Sequence, residues 1–257
     1  MIRPGRLLVV TAVAVERDAV VAGLARAGAA ASAGRTGTTT GTLTAGTLTS
    51  RTDADTAATD SAAADVVAAG VGPAAAAAAT ATALARAEVA GVPYALVVSA
   101  GIGGGFAPAA PLGTLAVADA IVAADLGAET DAGFVPVTDL GFGTSRHLPP
   151  AGLSRRVAQA LGAAYGPVLT VSTVTGTAER AAALTRRHPT AVAEAMEGFG
   201  VAEAAAAAGL PVLEIRAVSN AVGPRDRAAW RIGDALAALT GAFGKLPAAL
   251  EVDPEHD

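Results

Sequence analysis

Apolar residues along the chain form short unbroken runs that alternate with longer segments of mixed polarity. An unbroken run of Val, Leu and Ile is typical of a strand buried on both faces of a sheet, and the longer segments have the length of helices. This pattern predicts strands over Leu7–Val15, Asp65–Ala69, Tyr94–Ala100, Thr114–Ala123, Val168–Ser172, Ala191–Ala195 and Pro211–Val218. It predicts helices over Glu16–Ala27, Pro73 to about Ala90, Leu153–Ala164, Thr177–Arg187, Phe199–Ala208 and Asp226–Phe243.

Strands and helices alternate along the chain without a linker or an internal repeat. Such alternation predicts an α/β fold with a mixed, largely parallel central sheet flanked by helices. We expect residues 1–257 to form a single domain. Three segments depart from the pattern: Thr36–Ser50 predicts a hairpin, Arg51–Ser61 a polar connection, and Ala124–Pro150 a long functional loop, because structureless segments of that length are seldom mere packing.

Composition excludes several classes of function. The chain has no cysteine, and its three histidines follow no ligand spacing, so we expect no metal site and no cofactor. Its formal net charge is −5 and it has no block of Lys or Arg, which argues against a nucleic-acid partner. Hydrophobic residues make up 52% but aromatic residues only 3%, so the core must come from Val, Leu, Ile and closely packed Ala.

Two apolar stretches resemble membrane or export segments. Residues 3–15 mimic a short signal peptide, but Glu16 and Arg17 follow directly, and a buried first strand explains the run better. Val66–Ala85 has no charge, yet its Gly70, Gly72 and Pro73 and its many alanines indicate a strand, a glycine turn and a helix. We therefore expect a cytoplasmic protein with no membrane partner.

The residues that follow the predicted strands are the candidates for chemistry, because ligands of such sheets bind beyond the carboxyl ends of the strands. They are Glu16, Gly70–Gly72, Gly101–Gly105, Met196-Glu197 and Ser219-Asn220. Each has a structural alternative on its own. The acids can complement a helix dipole, Asn220 can be a turn or N-cap residue, and the glycines can form a tight turn. The functional alternative is a backbone that approaches a flat ligand, with a carboxylate that clamps a diol.

In this order, the motifs resemble the nucleoside phosphorylase and nucleosidase superfamily, and within it most closely the futalosine hydrolase family. The residues behind the resemblance are Thr11–Glu16, Gly70-Val71-Gly72, Gly101–Pro108, Ala195-Met196-Glu197-Gly198 and Arg216-Ala217-Val218-Ser219-Asn220. The subfamily resemblance adds Asp125–Glu129 and Ser219–Arg227 with Trp230. The resemblance covers nearly the whole chain and implies a nucleoside phosphorylase-like fold. It also implies an enzyme that cleaves the N-glycosidic bond of a purine nucleoside.

The resemblance also implies roles for individual residues. Glu16 would activate water near C1′ and Glu197 would bind the ribose hydroxyls, with Met196 packed under the sugar. Asn220 would contact the purine, and Gly72, Gly103, Gly104, Thr175 and Thr177 would contribute to substrate binding. For the far end of the substrate, the candidates in the 124–150 segment are Phe134, Phe142, Arg146 and His147. The members of the superfamily commonly form oligomers, so we expect a homo-oligomer.

Asn220 stands where adenine-specific nucleosidases have Asp. An amide NH₂ group matches the two acceptors N7 and O6 of a 6-oxopurine, which favours hypoxanthine as the leaving group. An amide cannot supply the proton that the purine takes up, which leaves water or Asp226 as the acid. Glu16 in the first loop and the hydroxyl-free Pro73-Ala74 in the second disfavour a phosphate site.

The resemblance therefore implies futalosine hydrolysis to hypoxanthine in the alternative menaquinone pathway. The alternatives are an adenine nucleosidase, a purine nucleoside phosphorylase and a nucleoside-binding module without activity. The presence of both Glu16 and Glu197 argues against the last of these, because binding alone needs no base near C1′.

Overall fold

The computed structural model describes residues 6–34, 56–59 and 64–251. The strands are β1 (Arg6–Thr11), β2 (Thr56–Thr59), β3 (Ala64–Ala68), β4 (Tyr94–Gly105), β5 (Leu115–Ala123), β6 (Gly127–Thr130), β7 (Gly133–Pro136), β8 (Arg146–His147), β9 (Ala164–Thr170), β10 (Ala193–Ala195) and β11 (Val212–Ala221). The helices are α1 (Ala14–Gly34), α2 (Pro73–Val89), α3 (Ala151–Leu161), α4 (Ala178–Arg187), α5 (Gly198–Ala207) and α6 (Ile232–Leu250). A 3₁₀ turn at Arg227–Ala229 precedes α6.

The main sheet has the strand order β10-β9-β5-β11-β4-β1-β3-β2, and β8 pairs with β5. The pairs β1–β3, β1–β4, β4–β11, β5–β9 and β9–β10 are parallel, whereas β5–β11 and β2–β3 are antiparallel. β10 also pairs with β4, so β4, β11, β5, β9 and β10 close into a ring. The predicted fold class, a mixed and largely parallel α/β sheet, is confirmed.

Helices cover both faces of the sheet, as the unbroken apolar runs require. Along β1, Leu7 and Val9 belong to one core cluster, whereas Leu8 and Val10 belong to another. The first cluster includes residues of α1, α3 and α6, and the second includes residues of α2 and α5. Successive strand residues point to opposite faces, so one continuous run supplies both cores.

The strands that border the site differ from the predicted ones at their ends. β1 stops at Thr11, and α1 begins at Ala14. β4 continues through Gly101–Gly105, and β11 continues through Ser219 and Asn220. The glycine segment is therefore extended strand rather than a turn. A Cβ at Gly105 would lie 2.0 Å from the carbonyl oxygen of Ala110, so glycine is needed for close approach of the backbone.

Two other segments also have more structure than the sequence pattern predicts. The 124–150 segment contains the β6–β7 hairpin and the short strand β8, so it is not a structureless loop. Thr56–Thr59 forms β2 rather than part of a polar connection. These strands have two to four residues each, which is too short for a periodic pattern. The hairpin predicted over Thr36–Ser50 lies outside the described residues.

The final helix also begins later than predicted. Asp226 caps the 3₁₀ turn by accepting a hydrogen bond from the backbone N–H of Ala228, and α6 starts only at Ile232. Among the helices of the described ranges, none combines the length and apolar character that crossing a bilayer would require.

α1 and α6 pack so closely that Gly23 has no room for a side chain. A Cβ there would lie 2.4 Å from the carbonyl oxygen of Thr240 and 2.8 Å from the Cβ of Phe243. We expect Gly23→Ala to destabilise the protein by roughly 1–3 kcal/mol, despite the better helix propensity of alanine, because the helices must separate. Denaturant unfolding measures the effect.

The matched control is Gly241→Ala in α6, where nothing lies within 4 Å of the added Cβ. That variant should be neutral, or more stable by up to about 1 kcal/mol. Equal stability of the two variants would contradict the close packing of α1 on α6.

Candidate active site

Glu16 lies in the first turn of α1, directly beyond the end of β1. Its Oε2 accepts hydrogen bonds from the backbone N–H groups of Ala12, at 3.0 Å, and Val13, at 3.3 Å. Its Oε1 accepts one from the N–H of Ile102, at 2.9 Å. The side chain is thus held by main-chain groups just beyond β1 and within β4, and it is buried.

Glu197 lies between β10 and α5 and is also buried. Its Oε1 accepts a hydrogen bond from the N–H of Gly72, at 3.2 Å, and its Oε2 lies 3.1 Å from Nη1 of Arg216. Gly72 has a φ of +95°, a conformation that favours glycine, and it caps α2. The second glycine turn therefore positions Glu197 directly.

Arg216 in β11 is fully buried and joins several parts of the site. Its Nε donates to Oε1 of Glu214 at 2.9 Å, its Nη2 donates to Oγ of Ser99 at 3.0 Å, and its Nη1 pairs with Glu197. A guanidinium presents its donors in a fixed planar fork, so these partners also fix the orientation of Arg216. Arg216 connects the β11 strand, the β4 strand and the Glu197 loop.

Two glycines provide the space that this network needs. A Cβ at Gly101 would lie 2.7 Å from Oε1 of Glu16 and 2.9 Å from Nη1 of Arg216. Glu16 and Arg216 therefore meet over Gly101. A Cβ at Gly198 would lie 2.2 Å from Oε1 of Glu214. The glycine of Met-Glu-Gly and the first glycine of Gly-x-Gly-Gly-Gly are thus explained by the buried charges beside them.

The site holds three buried carboxyl groups around one guanidinium. Burial raises the pKa of Glu16 above its ordinary value, and the N–H of Ile102 and the charge of Arg216 oppose this rise only in part. Burial also raises the pKa of Glu214. For Arg216, burial alone would lower the pKa, but the surrounding carboxylates raise it and keep the guanidinium charged. Burial therefore favours the uncharged forms of Glu16 and Glu214 more than it would for exposed carboxyl groups.

Asn220 lies near the end of β11, beside a register shift between Val218 and Asn220. Its Oδ1 accepts a hydrogen bond from Oγ of Ser219 at 2.9 Å, and its Nδ2 donates to the carbonyl oxygen of Ala221 at 3.1 Å. Because a carbonyl can only accept, the second contact determines which amide atom faces it. One N–H of Asn220 is thus engaged, so the two free hydrogens expected from the sequence reduce to one.

Gly104 lies beside Asn220, since a Cβ there would be 3.2 Å from Nδ2 of Asn220. At Gly103, a Cβ would lie 2.8 Å from the carbonyl oxygen of Glu194. Gly103 and Gly104 both belong to β4. Met196, the residue that precedes Glu197, is half-buried. The structure therefore brings six of the nine predicted site residues into contact through the Arg216 network and the β4–β11 pair: Glu16, Gly72, Gly103, Gly104, Glu197 and Asn220.

The two threonines of the prediction have other partners. Both the N–H and the hydroxyl of Thr175 donate to the buried carboxylate of Glu194. Thr177 caps α4 by accepting a hydrogen bond from the N–H of Arg180. Their role in substrate binding stays a prediction.

Arg216, Glu214 and Ser99 contribute to the site but are not among the site residues predicted from the sequence, whereas Ser219 is one of the strand-end candidates. The signal for the first two was present in the sequence, because Glu214 and Arg216 are charged residues inside an otherwise apolar strand. Within the described part of the chain, no group of three or more His, Cys, Asp or Glu residues could hold a metal ion.

The arrangement combines two buried carboxyl groups, an orienting guanidinium and an amide at neighbouring strand ends. Comparison with known families shows that the phosphorylase superfamily model matches residues 56–246. The chain is 63% identical to a futalosine hydrolase from Streptomyces coelicolor over 98% of this chain and 99% of that protein. A futalosine hydrolase from Acidothermus cellulolyticus is 49% identical over 61% of this chain and 66% of that protein.

Solved structures show the same fold. An S-adenosylhomocysteine nucleosidase from Streptococcus pyogenes has a TM-score of 0.71 at 17% identity, covering 97% of this chain and 99% of that one. A methylthioadenosine/adenosylhomocysteine nucleosidase from Colwellia psychrerythraea, in complex with adenine, has a TM-score of 0.68 at 19% identity, covering 97% and 95%. Fold and family model together place the chain in the phosphorylase superfamily. Within that superfamily, the chain belongs to the futalosine hydrolase family.

The buried network makes a prediction about stability. We expect Arg216→Gln to lower the free energy of unfolding by about 3 kcal/mol or more, because it leaves the carboxylates of Glu197 and Glu214 buried without a cation. Denaturant unfolding at neutral pH measures the loss.

The companion variant is Glu214→Gln, which keeps the shape of the side chain and an acceptor for Nε of Arg216. Among the described residues, the other oxygen of Glu214 has no hydrogen-bond partner. We expect this variant to lose less than half as much stability as Arg216→Gln. Equal losses would show that the guanidinium is not what balances the buried charge.

Proposed function

We propose that this protein is a futalosine hydrolase, which uses water to cleave the bond between hypoxanthine and the ribose of futalosine. The observation that carries this proposal is the pair of buried carboxyl groups, Glu16 and Glu197, held beside Arg216 in a chain of the futalosine hydrolase family. The alternative menaquinone pathway and a homo-oligomeric state stay predictions.

Glu16 is the proposed base. In the reaction, the C1′–N9 bond breaks with its electron pair moving to the purine, and the ribose takes on oxocarbenium character. A water molecule then adds to C1′ and gives a proton to the carboxylate of Glu16. The three backbone N–H groups that hold Glu16 leave it little freedom, which suits a base that must meet water at one fixed place.

Glu197 is the proposed ligand of the ribose hydroxyls. Its two oxygens already accept from the N–H of Gly72 and from Arg216, and carboxylate oxygens have further lone pairs for the 2′- and 3′-hydroxyls. Charge-assisted hydrogen bonds of this kind are stronger than neutral ones. The half-buried Met196 beside Glu197 is proposed to pack under the sugar.

Asn220 is the proposed contact to the purine. Ser219 and Ala221 orient the amide so that one N–H of Nδ2 remains for N7 or O6 of a 6-oxopurine. The carboxylate of Asp226, the alternative proton donor considered from the sequence, instead accepts the capping hydrogen bond from Ala228. This supports water as the source of the proton for the departing purine.

Hydrolysis is favoured over phosphorolysis by charge. The first loop presents the carboxyl group of Glu16, which repels phosphate, and Pro73-Ala74 follows the second glycine turn without a hydroxyl. The neighbouring Arg17 pairs with Asp18 at 2.8 Å. In the described part of these two loops, the charges thus disfavour a bound phosphate.

The proposal is tested by hypoxanthine release from futalosine, measured in a xanthine oxidase-coupled assay with and without phosphate. We expect release in both, with no ribose 1-phosphate product. Glu16→Gln should lower kcat by about 100-fold or more, because it removes the base and keeps the shape. The control is Glu88→Gln, which changes a surface-exposed carboxylate on α2.

The same assay gives a pH dependence. Because burial raises the pKa of Glu16, its basic form is lost at a higher pH than for an ordinary Glu, so kcat/KM should fall on the acid side through an apparent pKa above 4.5. A rate that instead falls as pH rises through this range would assign Glu16 the role of an acid.

A third prediction, about the leaving group, rests on the amide of Asn220. We expect wild type to prefer futalosine over its 6-amino analogue by about 10-fold or more in kcat/KM, because the amino group places a donor against the N–H of Asn220. Asn220→Asp should narrow or invert this preference, since a protonated carboxyl offers a donor and an acceptor. An unchanged preference in the variant would mean that another group selects the base.

A further inference from the structure

The segment 222–231 connects Asn220 at the end of β11 to the start of α6. It contains three arginines, Arg225, Arg227 and Arg231, together with Trp230, the single tryptophan of the chain. The three arginines are exposed and Trp230 is half-buried. This basic segment stands out in a chain whose formal net charge is −5. The mechanism proposed above uses none of these four side chains.

Backbone hydrogen bonds hold the segment against the site. The N–H of Arg231 donates to the carbonyl oxygen of Ser219 at 2.7 Å, so the segment leaves from Asn220 and returns to the residue beside it. The N–H of Arg225 donates to the carbonyl oxygen of Gly176 at 3.2 Å. The arginines therefore belong to a segment that is fixed to the rest of the protein by backbone hydrogen bonds.

Trp230 orders two of the guanidinium groups. The Cζ atoms of Arg225 and Arg227 lie 5.4 Å and 5.8 Å from the centre of the indole ring. Cation–π contacts of this kind hold a guanidinium by its face and leave its N–H edge available. Within the described ranges, no carboxylate forms an ion pair with either arginine. The segment thus presents two oriented and unpaired anion-binding groups.

The helix that follows the segment shows on which side of the sheet the segment lies. Oγ1 of Thr240 in α6 donates to the carbonyl oxygen of Ala19 in α1, and Gly23, one turn further along α1, packs against Phe243. The two helices therefore run in the same direction, and their N-terminal ends lie at the same side of the sheet. β1 and β11 both run parallel to β4, so the segment that follows β11 and the Glu16 turn that follows β1 lie at the same side of the sheet.

We propose that Arg225 and Arg227 bind the carboxylate of the aromatic acid that futalosine carries on the 5′ side of its ribose. This inference rests on the proposed function and names a subsite for the part of the substrate that does not react. In this subsite, the indole ring of Trp230 orients the two guanidinium groups beside the active site. Binding energy from such a remote group can be used to position the reacting bond.

The test compares futalosine with its methyl ester, which has the same purine and ribose but no negative charge at the aromatic acid. We expect wild type to prefer the free acid by about 10-fold or more in kcat/KM, as for a charge-assisted contact. The double variant Arg225→Gln/Arg227→Gln should lose this preference, mainly through a higher KM for the acid.

The control is Arg155→Gln, because Arg155 also stacks on an aromatic ring, with its Cζ 5.3 Å from the centre of the Tyr165 ring, but belongs to α3. It should keep the preference of wild type. A double variant that retains the preference, or that loses activity on acid and ester equally, would overturn the subsite. Absence of hypoxanthine release from futalosine by wild type would instead overturn the proposed function, and the subsite with it.

Discussion

The position of Arg216 is the constraint on which the site depends. A guanidinium with no exposed surface must be surrounded by acceptors, and here Glu197, Glu214 and Ser99 supply them. Because Arg216 and these partners come from three different stretches of the chain, satisfying one buried cation brings β4, β11 and the start of α5 into a single arrangement. The same cation stabilises the negative charge of Glu16 and Glu197 in a place from which water is largely excluded.

The closed ring of strands explains why these charges can be buried. β4 pairs with β11 on one side and with β1 and β10 on the other, so its glycine-rich end is covered by backbone. Side chains at Gly101 or Gly198 would occupy the space that Glu16 and Glu214 fill. The closed ring of strands and the burial of charge therefore depend on each other. Carboxylates can lie next to the strands only where glycine leaves room for them.

The sequence pattern predicted the α/β sheet because a strand covered on both faces is apolar at every position. It did not predict that β4 runs through Gly101–Gly105, since glycines have the composition of a turn and the pairing strand β10 lies far along the chain. Resemblance identified Glu16, Glu197 and Asn220 by their order after the strands. The links between them, through Arg216 and the backbone of Ile102, depend on tertiary contacts and could be found only in the structure.

Among the described residues, the hydrogen bonds to the carboxyl group of Glu16 come from main-chain N–H groups, those of Ala12, Val13 and Ile102. Every residue except proline offers such a donor, whatever its side chain. Mutations at these three positions can therefore reshape the walls of the site while the carboxyl group keeps its place. The place of the proposed base is therefore independent of the side chains that surround it at these positions, so the shape of the site and the position of this carboxyl group can change separately.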